Sequence, residues 1–258
     1  MRAALVAACV VCLCAGAGRG DESADAVAPV VVDAGHGGVD LGARGVNGVL
    51  EKDLTLAVAR RVASELRARG VPVVETREKD VFIPLHERTA IANKAHARLY
   101  VSIHANSAPE AEVCGTETYF LSVDASDAEA MRVALTENDV YQQEGTASDS
   151  QDVVGSILGD LIRTEHLRES SDLAASIQRS LAKLPGDSRG VKQAPFVVLT
   201  GVNMPVALVE IGFVTNADEV KRLGRRDVQT QLAKAIATAL VESMGQNRAV
   251  PAANGEGR

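Results

Sequence analysis

The segment V-V-V-D-A-G-H-G-G at residues 30–38 constrains the fold of this chain more than any other stretch. Three consecutive valines are typical of a strand that is buried on both faces. Asp33 ends the apolar run, and the glycines around His36 allow the backbone to turn sharply without a Cβ clash. The pattern therefore predicts an imidazole at the carboxyl end of a central strand, where open α/β sheets bind their ligands.

Composition narrows the class of protein. The 258 residues are 46% hydrophobic and 24% charged, which suits one sizeable domain with its own core. The net charge of −7 argues against nucleic acid as a partner, because nucleic-acid-binding domains carry basic surfaces. Aromatic residues make up only 3% of the chain, which disfavours a stacking platform for bases.

The N-terminus has the pattern of a secretion signal, which we assign to residues 1–17. Its apolar run is too short to span a bilayer comfortably, so we expect no stable membrane span. The alternatives are a buried N-terminal helix and a lipid anchor at Cys9. Three of the four cysteines belong to the signal, which leaves Cys114 without a disulfide partner. We expect Cys114 to pack as a small hydrophobic residue.

After a polar linker at 18–28, strand and helix patterns alternate through one domain at 29–245. This alternation predicts an α/β fold with a largely parallel sheet. The polar tail at 246–258 is predicted to be disordered. The predicted strands are 29–34, 71–76, 99–103, 115–122, 196–199 and 206–211. Helices are predicted at 52–69 and 84–97, and the last helices are predicted within 218–244.

Two further residues match His36 as metal ligands. Glu51 begins the first predicted helix, and His104 ends the third predicted strand. The carboxyl ends of parallel strands meet at one rim, so we expect these side chains to converge. Two imidazoles and one carboxylate suit zinc, with a fourth position left for water, better than they suit calcium or magnesium. Taken singly, a histidine at a strand end is more often structural, and the helix dipole alone favours a glutamate such as Glu51.

Glu210 is the single acid in the apolar strand at 206–211. A buried carboxylate is costly unless it is paired or functional. Burial raises its pKa toward the range of a general base, which would take a proton from zinc-bound water and return it to a leaving nitrogen. The alternative is a structural ion pair with Arg44, Arg77 or Arg88.

Six segments spread from Val30 to Met244 resemble the zinc-dependent N-acetylmuramoyl-L-alanine amidases of the Amidase_3 family. They are D-A-G-H-G-G at 33–38, L-E-K-D-L at 50–54, T-R at 76–77, S-I-H-A-N at 102–106, G-V-K-Q-A at 190–194 and V-E-I-G-F-V-T-N at 209–216. The segments follow one another in the family's order.

The resemblance implies a mixed sheet flanked by helices, with Zn2+ held by His36, Glu51 and His104. It implies Glu210 as the catalytic acid/base. The implied reaction is hydrolysis, by a zinc-activated water, of the amide that joins the lactyl group of N-acetylmuramic acid to L-alanine in peptidoglycan. Weaker implications are substrate contacts by the residues Asn106, Gln193 and Arg77.

Family members that serve cell division carry a helical insert that occludes the zinc site until a LytM-type activator displaces it. Residues 137–165 lie in the corresponding region. The resemblance therefore implies autoinhibition, an activator partner, a periplasmic location and a role in daughter-cell separation. One acid within 137–152 would fill the fourth zinc position, and the sequence leaves open which one. The alternative is a helix that only completes the fold.

Two functions of other classes also stay open at this point. A non-catalytic wall-binding module would have no need of Glu210 beside three ligands, and it would offer more aromatic residues for stacking on sugars. A zinc carboxypeptidase or endopeptidase would use the same groups to cut within the stem peptide. The chemical end that is released from the wall separates these possibilities.

Overall fold

The structure, a computed structural model, describes residues 28–143 and 164–246. The predicted signal peptide, nearly all of the linker, residues 144–163 of the predicted insert and the tail after 246 lie outside the described residues. No helix in the described ranges is long and apolar enough to cross a membrane.

The described residues form six strands and six α-helices, with short 3-10 helices at Val46–Gly48 and Val197–Leu199. The strands are β1 (Val30–Ala34), β2 (Val73–Glu75), β3 (Leu99–Asn106), β4 (Thr116–Leu121), β5 (Ser188–Ala194) and β6 (Val206–Phe213). The helices are α1 (Glu51–Ala68), α2 (Leu85–Lys94), α3 (Ala128–Gln143), α4 (Thr164–Leu181), α5 (Ala217–Leu223) and α6 (Arg226–Gln246).

All six strands form one sheet in the order β2-β1-β3-β6-β4-β5. Strands β2, β1, β3 and β6 run parallel to one another, whereas β4 is antiparallel to β6 and parallel to β5. The prediction of a mixed, largely parallel sheet flanked by helices is confirmed. Because β1, β3 and β6 are parallel neighbours, their carboxyl ends lie side by side.

The core has two layers, one on each face of the sheet. Helices α1, α4 and α6 cover one face, and α2 and α3 cover the other. The valines of β1 are at most 1% exposed, with Val30 and Val32 packed in the first layer and Val31 in the second. Burial on both faces explains why this strand has no polar alternation.

The prediction of a strand at 196–199 is wrong. Val197–Leu199 is a 3-10 helix, and the strand that precedes it, β5, was not predicted. Strand β5 is the last in the sheet order, and most of its residues are only partly buried, so its polar sequence lacks an apolar run. The apolar residues after Pro195 instead pack as a turn against the core, since a short apolar run does not separate a strand from a buried helical turn.

Candidate metal centre

His36 lies in the loop that follows β1, in a left-handed backbone conformation with φ of 61°. Gly37 and Gly38 also have positive φ, which a glycine adopts without strain. The ring is oriented by Asp40, whose Oδ2 lies 2.9 Å from Nδ1 of His36. The other ring nitrogen, Nε2, therefore faces away from Asp40 and lies 3.1 Å from Oε2 of Glu51.

Glu51 is the first residue of α1 and is fully buried. The backbone N–H of Ala43 donates to Oε2 at 2.8 Å, and that of Ala105 donates to Oε1 at 2.9 Å. These bonds fix the carboxylate between the loop of His36 and strand β3. Sequence reasoning selected Glu51, and its place at a helix N-terminus gives the negative charge a favourable field.

His104 lies near the end of β3, directly beside the loop of His36. Its Nδ1 is 3.2 Å from Oε1 of Glu51. The ring packs on the backbone of Gly35, where an added Cβ would lie 2.5 Å from Cε1 and Nε2 of His104. Glycine at position 35 is therefore needed to make room for the imidazole.

The fourth member of the cluster is Glu137, which reaches down from α3. Its Oε2 lies 2.8 Å from Nδ1 of His104 and 3.1 Å from Nε2 of His36. One ligand atom from each of the four residues lies within 4.8 Å of the others, and all four residues are buried. The sequence alone limits this acid only to a range of 16 residues, 137–152, because no local pattern separates Glu137 from the other acids there.

The charges of the cluster balance. Burial disfavours the imidazolium, but the carboxylates of Glu137 and Glu51 outweigh it and raise the pKa of His104 to about 10. The pKa of His36 is raised well above its usual value by Glu51 and Glu137 despite its burial. Burial likewise opposes ionisation of Glu51, yet the two histidines lower its pKa, so both carboxylate and imidazolium forms are stable together.

These residues fit a divalent metal ion. Nε2 of His36 and Oε2 of Glu137 are buried and form no hydrogen bond of acceptable geometry with the described residues. A dication in place of two protons would keep the charge of the cluster and give these atoms a partner. Imidazole nitrogen mixed with carboxylate oxygen is a zinc donor set rather than a calcium one.

Glu210 lies next to the cluster but outside it. It pairs in register with His104 on β3 and with Glu117 on β4, so all three side chains lie on the same sheet face. Glu210 is fully buried, and neither of its carboxylate oxygens has a hydrogen-bond partner in the described residues. Burial and the negative charge of Glu137 raise the pKa of Glu210 well above its usual value.

The alternative of a structural ion pair for Glu210 gains no support. In the described part of the chain, Arg88 pairs with Asp33, at 2.9 Å between Nη1 and Oδ1, and Arg77 donates to backbone carbonyl groups. Arg44 is exposed and lines the open cleft beside the cluster. No arginine among these residues forms an ion pair with Glu210.

A cleft of about 840 Å³ opens beside His36 and Glu137. The three residues predicted to contact substrate are not among the described residues that line it. Asn106 is buried and donates to Glu117 at 3.1 Å. Arg77 is also buried, and Gln193 donates to the carbonyl group of Asp124 at 3.3 Å. The structure therefore brings together His36, Glu51, His104 and Glu210, whereas none of the three predicted substrate contacts lines the cleft.

Cys114 does not belong to this cluster and lines a separate surface cavity. It is partly exposed rather than packed in the core, with Sγ 3.1 Å from Oδ2 of Asp187. That hydrogen bond raises the pKa of the thiol, so less of it ionises to the reactive thiolate.

Known proteins are similar to this chain in both sequence and fold. The Amidase_3 family profile, described as N-acetylmuramoyl-L-alanine amidase, matches residues 30–242. The chain is 38% identical over 215 residues to N-acetylmuramoyl-L-alanine amidase AmiA of Escherichia coli K12, covering 82% of this chain and 74% of AmiA. It is 35% identical to AmiC of Neisseria meningitidis, covering 81% of this chain and 51% of AmiC. It thus spans about half the length of that relative.

Two solved structures extend the similarity to three dimensions. The first is AmiC2 of Nostoc punctiforme, with a TM-score of 0.60 and 32% identity, over 84% of this chain and 96% of AmiC2. The second is an N-acetylmuramoyl-L-alanine amidase of Clostridium difficile 630, with a TM-score of 0.65 and 27% identity, over 84% of this chain and 96% of that one.

Proposed function

The chain belongs to the Amidase_3 family of N-acetylmuramoyl-L-alanine amidases, and on this premise we propose how its residues perform the reaction. The substrate is the amide between the lactyl group of N-acetylmuramic acid and L-alanine in peptidoglycan. The observation that carries the proposal is a buried His-Glu-His-Glu cluster beside a third buried acid, Glu210, whose carboxylate oxygens have no hydrogen-bond partner in the described chain.

In this proposal His36, Glu51 and His104 hold a zinc ion. Zinc would polarise the scissile carbonyl group and lower the pKa of a water molecule at the site. The backbone N–H groups of Ala43 and Ala105 hold the carboxylate of Glu51, and Asp40 holds the ring of His36. Groups that bind a metal ligand without binding the metal, called outer partners here, keep the ligand in place and set the tautomer of a histidine.

Glu210 acts as general base and then as general acid. It accepts a proton from the attacking water and donates it to the nitrogen of L-alanine as the carbon–nitrogen bond breaks. Its raised pKa suits the second half of this role, because a group that holds its proton too weakly cannot protonate an amine leaving group.

Two variants separate binding of metal from proton transfer. Glu210→Gln should keep zinc and lose activity by about a hundredfold or more, because the amide cannot carry the proton. His36→Ala should instead lose zinc, measured as metal content after dialysis. Full turnover by Glu210→Gln would contradict the role of Glu210, and stoichiometric zinc in His36→Ala would contradict the ligand set.

The released ends identify the bond that is cut. Digestion of purified peptidoglycan should produce a new amino group on L-alanine and glycan strands that bear free lactyl groups. A new amino group elsewhere in the stem peptide would point to the peptidase alternative. The absence of any new amino group would point to a wall-binding module.

We further propose that α3 is autoinhibitory and that Glu137 is the acid that fills the fourth position of the site. Its carboxylate contacts both histidines and closes the cluster on the side of α3. The helix is held down by Ala130, Val133 and Ala134, which are buried in the second layer. Asn138 adds hydrogen bonds of 2.8 Å to Pro195 O and from Val197 N.

Replacing Glu137 tests this autoinhibition. Glu137→Ala removes both contacts between the carboxylate and the histidines, and a loss of only about 1.4 kcal/mol from the closed state shifts its population tenfold. Glu137→Ala should therefore hydrolyse peptidoglycan about tenfold faster than the native protein when no activator is present. Leu135→Ala is the control, because Leu135 lies on the same helix and is 59% exposed. A rate for Glu137→Ala that equals or falls below the native rate would count against autoinhibition.

The remaining proposals concern the cellular setting. A LytM-type activator would displace α3, and the protein would act in the periplasm during separation of daughter cells. The support is the acid of α3 in the cluster together with similarity to the AmiA and AmiC amidases. Dye-release from labelled peptidoglycan with and without a purified LytM-domain protein tests the activator, and stimulation that is equal in Glu137→Ala and native protein would contradict this mode of activation.

A further inference from the structure

The backbone carbonyl groups of the loop that carries His36 point inward, onto two buried arginines. Arg88 donates to the carbonyl groups of Ala34 and His36 at 2.7 and 2.8 Å. Arg77 donates to those of Ala34 and Gly35 at 2.9 and 2.8 Å. Since His36 has a left-handed φ of 61°, its conformation must be held by its surroundings.

Arg77 differs from Arg88 because it also binds the helix that carries Glu51. Its Nη2 donates to the carbonyl group of Lys52 at 2.9 Å and lies 3.1 Å from Oγ1 of Thr55. The hydroxyl of Thr55 in turn donates to the carbonyl group of Gly35 at 2.8 Å. One guanidinium and one hydroxyl therefore join the residue before His36 to the residue after Glu51.

The partners of Arg77 are unusual for a buried cation. Only 3% of the residue is exposed, and within the described residues its guanidinium has no carboxylate at ion-pair distance. Burial of a charge without a counter-ion is costly, so carbonyl groups must compensate it. The planar guanidinium of Arg77, with several fixed donors, meets four backbone carbonyl groups at once, which a lysine ammonium cannot do in the same geometry.

We propose that Arg77 is a positioning residue that sets the separation between His36 and Glu51, so that these ligands are assembled before the metal binds. The proposal gives Arg77 a role that needs no contact with substrate. It rests on the metal site proposed above. It also accounts for the close packing of Arg77 against Gly37, where an added Cβ would lie 2.9 Å from Nε of Arg77.

Zinc affinity of the folded, metal-free protein is the direct test. Competition with a chromophoric chelator measures the affinity, and circular dichroism with thermal unfolding reports the fold. Loss of an outer partner typically weakens metal binding by about 10–100-fold, which is the loss expected for Arg77→Met. Arg77→Lys should recover part of it. The absorption spectrum of the cobalt-substituted protein should change in both variants, because the geometry of the ligands changes.

Arg67→Met is the matched control. Arg67 lies on α1, the helix that carries Glu51, and joins that helix to the sheet through Glu75 at 2.6 Å and the carbonyl group of Val73 at 3.3 Å. Removal of Arg67 loosens the C-terminal end of α1, whereas Glu51 lies at its N-terminal end. The zinc affinity of Arg67→Met should therefore stay at the native value. Because Arg67 is exposed and Arg77 is buried, Arg77→Met should lower the unfolding temperature more, so the zinc affinities are compared at a temperature where circular dichroism shows both variants to be folded.

Thr55→Val tests the same proposal if Arg77→Met does not fold. Valine keeps the shape of threonine but removes the hydroxyl that links Gly35 and Arg77, and zinc affinity should fall by about tenfold. Native zinc affinity in a folded Arg77→Met or Thr55→Val variant would overturn the inference. If the native protein itself bound no zinc, the proposed metal site would fail instead, so the two failures are distinguishable.

Discussion

Replacing Asp33 with asparagine tests how far the base of the His36 loop depends on one buried charge. Asp33 is fully buried, and its carboxylate binds Arg88 and accepts hydrogen bonds from Ser102 and Thr76. Burial alone would raise its pKa, but Arg88 and the two hydroxyls outweigh burial and lower the pKa of Asp33 to about 2. A lowering from 3.8 to about 2 corresponds to roughly 2–3 kcal/mol of stability.

The sign follows from where the proton binds. The unfolded chain takes up the proton on Asp33 near its ordinary pKa of 3.8, whereas the folded protein resists protonation until about pH 2. The stabilisation is therefore complete above about pH 5 and is lost as the pH falls toward 2. At about pH 3 the loss is roughly 1 kcal/mol.

At neutral pH, Asp33→Asn leaves Arg88 buried without its carboxylate, and we expect a destabilisation of about 3–5 kcal/mol. Asparagine does not titrate, so the gap in unfolding free energy between the two proteins should narrow by about 1 kcal/mol between about pH 6 and pH 3. Urea unfolding followed by circular dichroism, in the presence of a chelator, measures both quantities.

Comparing two proteins at each pH cancels the other acids with a lowered pKa, such as Glu51 and Glu137. A gap that stays constant across this pH range would refute the assignment of the lowered pKa to Asp33. A destabilisation below about 1 kcal/mol at neutral pH would refute the idea that Asp33 compensates a buried cation.

Two further substitutions test the site from other directions. Gly35→Ala should weaken zinc binding by about tenfold or more, because its Cβ would lie 2.5 Å from the ring of His104 and displace it; chelator competition measures this, with Gly245→Ala as the control because nothing lies within 4 Å of its Cβ. Native affinity in Gly35→Ala would contradict the packing argument. Cys114→Ser should keep wall-hydrolysing activity within about twofold, since the thiol lies outside the cluster in a separate surface cavity and surface substitutions are usually mild; a loss of more than about tenfold would reopen a role for the thiol in the reaction.

Much of the fold could be predicted because the information is local. The valine run of β1 and the apolar strand of β6 are long enough to specify buried strands wherever they lie in the molecule. The edge strand β5 could not be predicted, since its half-exposed residues need not be apolar and its partner β4 lies far away in sequence. Its short apolar neighbour at 197–199 fits a strand and a buried turn equally well until the tertiary packing is known.

The residues of the candidate site also fall into those that the sequence predicts and those that it does not. His36, Glu51 and His104 could be selected together, because parallel strands deliver their carboxyl ends to one rim and because the family motifs contain them. Glu137 could not be selected from its neighbours, since only the docking of α3 against the sheet determines which acid of the helix faces the histidines. Asp40 gave no separate signal either, because its role depends on a tight turn that returns it to the ring of His36.

The amino-acid sequence by itself determined the class of fold, three of the four residues able to bind a metal ion, and the family of the chain. These follow from short-range patterns: apolar runs, glycines beside a histidine, and an acid within a buried strand. Only the tertiary structure decided which partner each buried polar group has. Arg77 and Arg88 support the His36 loop, Asp33 compensates Arg88, and Glu210 is left unpaired in the described chain. Such pairings depend on distances of a few ångströms between segments far apart in sequence, and no local pattern encodes them.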